Sequence, residues 1–230
     1  MEYLSAAAIA FANLGYWADL SAFLASALLM FVYQWRLIRR SHQDPQLTIQ
    51  GMNACARYAW VERVVMDGRD VMAVQTFRNS TMASTLMAST AIILILGILN
   101  LLANGGQGHN SLFQMLNTWG SRDPGMWIFK IIVLLLDFFV AFFSFSLVVR
   151  SYNHAGYLIN VPRTLEDTTA GVTVQRVVQV LDQAAIYYSV GMRSYYLTVP
   201  LVLWLFGPLW MMGATVVLVA ILNQLDYLED

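Results

Sequence analysis

Four long apolar stretches, at 17–37, 82–102, 127–149 and 196–222, divide this chain of 230 residues. Each has the roughly twenty residues a helix needs to cross a hydrocarbon layer of about 30 Å. With 58% apolar and only 12% charged residues, the chain departs from soluble averages in the direction a membrane protein requires. The expected fold is all-α: a polytopic membrane protein with four transmembrane helices and amphipathic cytoplasmic helices, forming one integral domain over 1–230.

The cations set the expected topology. Arg36, Arg39, Arg40, Arg57, Arg63, Arg69 and Arg78 lie in or bordering the first connection, and Arg150, Arg163, Arg176 and Arg193 in or bordering the third. Only Arg122 and Lys130 lie near the second. Cationic connections resist translocation, so the first and third are expected in the cytoplasm of a cell-membrane protein. Residues 103–126 and both termini are then expected outside, and the acidic Asp226, Glu229 and Asp230 are compatible with that. Glu2 is the only early charge, where a secretory leader would carry basic residues, so the first span is expected to be retained. Tyr16, Trp17, Tyr33, Trp35, Trp119, Trp127, Tyr195 and Tyr196 sit at proposed span ends as interface anchors. The predominance of Arg over Lys has two readings. One is recognition of phosphate or anionic lipid headgroups, which guanidinium forks bind bidentately. The other is codon bias, with topology as the only selected property. The net charge of −1 gives no reason to expect nucleic acid as a partner.

The cytoplasmic connections have helical periodicity of their own. Val174, Val177, Val178, Leu181, Ala184, Ala185 and Tyr188 recur on one face, with Gln175, Arg176, Gln179, Asp182 and Gln183 opposite. Thr164 and Asp167 supply a capping signal after Pro162. Tyr58, Val61, Val64 and Val65 form a weaker stripe. Asp70 is placed to cap a helix running through Val71, Val74 and Phe77 into the second span. At 1.5 Å per residue that helix would be roughly 45–50 Å long.

Val61-Glu62-Arg63-Val64-Val65 matches Val174-Gln175-Arg176-Val177-Val178 at four of five positions. Arg78 and Arg193 occupy similar places before the second span of each half. The echo is consistent with a parallel two-fold repeat of 1–115 and 116–230, its axis along the membrane normal. Coincidence within valine-rich amphipathic sequence is the competing explanation.

Asp137, near the centre of the third span, is the strongest candidate for chemistry. An ionised carboxylate there must face protein or a water-filled cavity, or else be protonated. Ala141, Ser144 and Val148 continue its face. The two readings are an ion or proton site, and a neutral carboxyl bonded to a neighbouring helix. Lys130 lies two turns away, roughly 10 Å along the axis, and is expected to snorkel toward the outer interface. In the second span, Thr81, Thr85 and Ser89 stack beside a row of Ser80, Ser84 and Ala88. Such hydroxyls either bond across helices or line a polar path. Ala18, Ala22 and Ser26 favour close packing of the first span. Pro208 removes an amide donor and obstructs the Trp204 carbonyl, so a kink is expected mid-span and that carbonyl needs a new partner.

Soluble-type motifs are lacking. His42, His109 and His154 fall in different connections, with no metal-ligand pair. Residues 105–108 read as a turn, not a nucleotide loop. Asn79-Ser80-Thr81 fits a glycosylation pattern but falls at the expected cytoplasmic edge. Cys55, as the only cysteine, excludes an intrachain disulfide. No catalytic group, metal or cofactor is expected.

Through Arg78-Asn79, the following Met82-Ala83-Ser84-Thr85, the Arg-bearing connections and Arg150 closing the third span, the chain resembles the bacterial and plant membrane proteins grouped as domain of unknown function 599. The resemblance implies four spans and carries no activity or site residues. The expected function is a homo-oligomeric channel or transporter for an ion or small solute. It rests on Asp137, Ser144, Thr85 and Ser89 and on the expected Pro208 kink, with Arg78, Arg150 and Arg193 at the cytoplasmic edge. The alternative is a non-conducting scaffold whose cytoplasmic helices bind a protein or anionic lipid. An intramembrane enzyme ranks third, for want of a second catalytic group.

Overall fold

A computed structural model describes residues 2–43, 48–67, 70–104, 120–121, 123–160 and 174–226. Among them are six α-helices and no strand: α1 Glu2–Gln43, α2 Ile49–Asp67, α3 Asp70–Asn104, α4 Pro124–Ile159, α5 Val174–Trp204 and α6 Pro208–Asp226. The proposed cap at Thr164 and Asp167, the turn at 105–108, and Glu229 and Asp230 lie outside the described residues. Four helices are long and apolar enough to cross a membrane, over Leu14–Ser41, Val71–Ala103, Pro124–Ile159 and Pro208–Asp226. The all-α polytopic fold is therefore the observed one. The continuous helix from Asp70 is also observed: α3 has 35 residues, about 52 Å at 1.5 Å per residue.

Two compact units make up the chain. One comprises Met1–Arg39, Ile93–Phe138 and Ser194–Asp230; the other comprises Arg40–Ile92 and Phe139–Arg193. In the second, Val61 and Val64 of α2 share one apolar core with Ala73 and Phe77 of α3, Ala155 and Ile159 of α4, and Val177, Val178 and Leu181 of α5. Val65 and Val174 pack against it. The two echo segments thus meet in a single core. Of the expected α5 stripe, Val177, Val178, Leu181 and Ala184 are buried, Val174 and Ala185 half-buried and Tyr188 exposed, with Gln175, Arg176, Gln179 and Gln183 exposed. Tyr58 departs from the expected α2 stripe and is exposed. Arg57 ties α2 to α5 through Asp182, with Nη2 and Nε 2.8 and 2.9 Å from the same carboxylate oxygen. Gln50 donates to the Ser189 hydroxyl at 3.3 Å.

In the first unit, α1 has two distinct faces. Asp19, Ala22, Ser26, Tyr33 and Leu37 are buried, while Leu24, Leu28, Phe31, Trp35 and Ile38 are exposed on the opposite side. Both sets recur at intervals of three, four or seven, the spacing of one helical face.

The fourth expected span is corrected by the structure. Residues 196–222 do not form one kinked helix: α5 ends at Trp204 and α6 begins at Pro208. The amides of Leu205, Phe206 and Gly207 donate to the carbonyls of Val202, Leu203 and Trp204 at 3.1 Å each, tightening the last turn of α5. Gly207 has φ 140°, a region that disfavours side chains. Pro208 then starts α6, where its missing donor is harmless and its fixed φ suits the first helical position.

Contacts show that the chain reverses here. Lys130 meets Trp204, Asp137 meets Thr198 and Phe138 packs on Tyr195, so this part of α5 runs antiparallel to α4. Then Ser26 meets Met212 and Tyr33 donates to Asp226 at 2.6 Å, so α6 runs parallel to α1. The end of α6 therefore lies level with Tyr33, not with the start of α1. The expectation of both termini on one side assumed a single crossing over 196–222, and the reversal removes that assumption.

Candidate functional site

Two acids, Asp19 and Asp137, lie away from the ends of the apolar helices of the first unit, and their surroundings differ. Asp19 on α1 is fully buried. Its Oδ1 lies 2.8 Å from Lys130 Nζ and accepts the Trp204 indole N–H at 2.8 Å. Its Oδ2 accepts the Ser121 backbone N–H at 2.7 Å. Lys130, itself 2% exposed, also donates to the Trp204 carbonyl at 3.1 Å. Its ammonium sits 5.3 Å from the centre of the Trp204 ring. That ring stacks on Phe23 and meets Phe129 edge-on.

Each element is placed by local chemistry. The Trp204 carbonyl is one that Pro208 prevents from completing a normal helical bond, and Lys130 and the Gly207 amide supply its donors. Ser121 precedes α4 and caps its entry, its hydroxyl accepting the Asp123 amide at 3.1 Å. Gly15, one turn before Asp19, lets α1 approach this segment: a Cβ there would lie 3.2 Å from Ser121 Cα. A buried ion pair in apolar surroundings is sustained only when its remaining donors and acceptors are also used, and here they are. The expected snorkelling of Lys130 is thus overturned. A fixed carboxylate and a fixed carbonyl within reach hold the ammonium more favourably than extension toward an interface.

Asp137 on α4 is half-buried. Its Oδ2 accepts the Thr198 hydroxyl at 2.9 Å, and that hydroxyl also lies 3.2 Å from the Ser194 carbonyl. A hydroxyl has one proton and two lone pairs. With Asp137 ionised, Thr198 donates to it. With Asp137 protonated, Asp137 donates to Thr198, which turns its own proton to the Ser194 carbonyl. The same atoms accommodate both charge states without a change of position.

The remaining candidates are placed as follows. Ala141, Ser144 and Val148 are buried along α4. Thr85 and Ser89 are exposed on α3, and the Thr85 hydroxyl donates to its own helix at the Thr81 carbonyl, 2.8 Å away. The neighbouring row is the inward one, with Ser84 and Ala88 buried. Thr198 and Ser194, on α5, are the hydroxyls that the structure brings to Asp137. Arg78 and Arg150 are exposed, while Arg193 is half-buried and its Nε donates to Ser189 at 3.3 Å.

Sequence reasoning missed Asp19, Thr198, Ser194 and the role of Lys130. One signal was available. Asp19 and Lys130 are opposite charges close to the start of two different apolar runs, a pattern expected of polar partners on neighbouring spans.

No curated protein and no solved structure matches this chain. The family model described as "Protein of unknown function, DUF599" matches residues 21–230, and the chain belongs to that family.

Proposed function

We propose that this protein moves an ion across the cell membrane through Asp137, and that the proton is the species its site fits best. The observation that carries this reading is the exchangeable hydrogen bond between Asp137 and Thr198. An acid inside a span is expensive to keep and marks ion or proton pathways. Asp137 is bonded to a hydroxyl able to donate or accept, whereas Asp19 is matched to a cation. The reversal between α5 and α6 supports the reading too, because discontinuous helices next to a polar site recur in transporters. The protein is not an enzyme on this reading; it binds its ion and releases it unchanged.

The assembly we propose is a homo-oligomer in the bilayer. An open apolar groove of about 860 Å³ between α5 and α6, lined by Val199, Leu203, Trp210, Gly213 and Val217 among others, supports assembly of several copies. We place both arginine-rich connections in the cytoplasm and the start of α1 outside. With the reversal at 205–207, the end of α6 is then cytoplasmic. Alkaline phosphatase fused after Asp226 or at Gln50 should be inactive, and a fusion within 105–119 active. Activity after Asp226 would reject this arrangement.

The decisive test is proton flux into liposomes containing the purified protein, read with an internal pH dye. Wild type should conduct and Asp137→Asn should not, while assembling normally, because Asn keeps the size but cannot ionise. Equal flux from both would exclude Asp137. No flux of any ion from wild type would favour the non-conducting scaffold, for which the exposed Met52, Tyr58 and Met66 on α2 offer a partner surface.

A further inference from the structure

The arginines divide into two groups by what they touch. Arg57 is held by Asp182, Arg63 by Asp67 at 3.5 Å and Arg193 by Ser189. Arg36 and Arg39, at the end of the first span, are both exposed. Among the described residues no carboxylate lies within ion-pair distance of either. Between Asp19 and Gln43 the helix contains no acid at all.

Their position on α1 is specific. Leu24, Leu28, Phe31 and Trp35 are exposed at intervals of four, three and four, forming one apolar stripe opposite the buried face. Arg39 comes one turn after Trp35 on that stripe, and Arg36 lies three residues before Arg39. Residues three and four apart on a helix are neighbours, about 5–6 Å between Cβ atoms. The Arg39 guanidinium lies 5.3 Å from the centre of the Trp35 ring. Trp is an interfacial residue in membranes, so this contact holds the guanidinium at headgroup depth. A guanidinium over a ring keeps its in-plane N–H fork available for a phosphate.

We propose that this end of α1 is a binding site for an anionic phospholipid. Arg36 and Arg39 clasp the phosphodiester, Trp35 sits at the glycerol level, and an acyl chain lies along Phe31, Leu28 and Leu24. Apolar stripe and cationic end occur in the order that a lipid presents them, tail to headgroup. A free phosphate would use only the arginines and gain nothing from the stripe.

The test uses the full-length protein in detergent, titrated separately with phosphatidylglycerol, phosphatidylcholine, glycerol 3-phosphate and inorganic phosphate. Retained lipid is counted by native mass spectrometry. Wild type should retain phosphatidylglycerol over phosphatidylcholine, with no protection by either soluble phosphate. Arg36→Gln/Arg39→Gln should lower that preference roughly thirtyfold, the order expected for two guanidiniums at an anionic surface. Arg36→Lys/Arg39→Lys should keep part of it, since charge survives and the fork is lost. An unchanged preference in the Gln variant overturns the proposal, and so does displacement of the lipid by inorganic phosphate. Should the Gln variant fail to assemble, wild type alone decides. A phosphatidylglycerol photoprobe in the acyl chain should label residues 24–35 above all other exposed span surface, and uniform labelling overturns the site.

Discussion

Asp19 and Asp137 are both acids within apolar helices of one unit, yet they are built for opposite purposes. Asp19 has a cation, an indole N–H and a backbone amide directed at its two oxygens. Its charge is needed by three other groups, so it can be neither lost nor exchanged without leaving partners stranded. Asp137 has only hydroxyl donors, those of Thr198 and Ser194, and the Thr198 bond can reverse. Among the described residues no cation lies within ion-pair distance of Asp137. The difference teaches where to look for traffic in a membrane protein: a fully matched acid locks structure, and an acid with a reversible partner is free to exchange a proton.

The largest effect that tests this contrast is at Lys130. Lys130→Met should leave Asp19 buried without its cation and lower stability by about 3–5 kcal/mol, as breaking one side of a buried pair does. Asp19→Leu/Lys130→Met removes both charges and should recover much of the loss, although the Trp204 indole and the Ser121 amide still lose an acceptor. Thermal unfolding of wild type, Asp19→Leu, Lys130→Met and the double variant in detergent measures the coupling. If Lys130→Met is no more damaging than the double variant, the pair is not a lock and the contrast fails.

Gly207 sharpens the comparison from the backbone side. The Trp204 carbonyl reaches Lys130 only because α5 stops there and the chain reverses. Gly207→Ala places a side chain at φ 140°, which should cost about 1–3 kcal/mol. The same unfolding assay should show this loss, and it should be smaller in Lys130→Met, where the carbonyl has already lost one of its two donors. Equal losses in the two backgrounds would mean that the turn and the ion pair are independent.

The sequence makes some of this legible and hides the rest for physical reasons. Length and apolarity identify α1, α3 and α4 as spans, because twenty apolar residues have few other uses. Periodicity identifies the α5 stripe, because only one face of that helix is buried. The reversal is hidden by composition: Tyr187, Tyr188, Ser189 and Arg193 dilute the apolar character of α5, so its final turns and α6 read as one run. Gly207-Pro208 does carry a stop-and-start signature, but a kink is written with the same two residues. Thr198 is hidden because a lone hydroxyl near a span has no pattern, whereas Thr85 and Ser89 form a conspicuous row that faces outward. A row of hydroxyls bonded to its own helix, as Thr85 is, looks polar in sequence and is already satisfied in three dimensions.

The smallest expected effect is at Asp137, and its smallness is what separates the two acids. Asp137→Leu removes the interhelical hydrogen bonds from Thr198 and Ser194. Such bonds in membranes are worth about 0.6 kcal/mol on average and up to about 2. Thr198 is not stranded by the change, because the Ser194 carbonyl remains 3.2 Å from its hydroxyl. Stability should therefore fall by about 1–2 kcal/mol, and Asp137→Asn should sit closer still to wild type. Thr198→Val should cost a similar amount, and the Asp137→Asn/Thr198→Val double variant should show little coupling. A loss for Asp137→Leu as large as that for Lys130→Met would place Asp137 in a structural lock of its own. Near-native stability combined with loss of proton flux would assign the exchangeable charge, and not the packing, to transport.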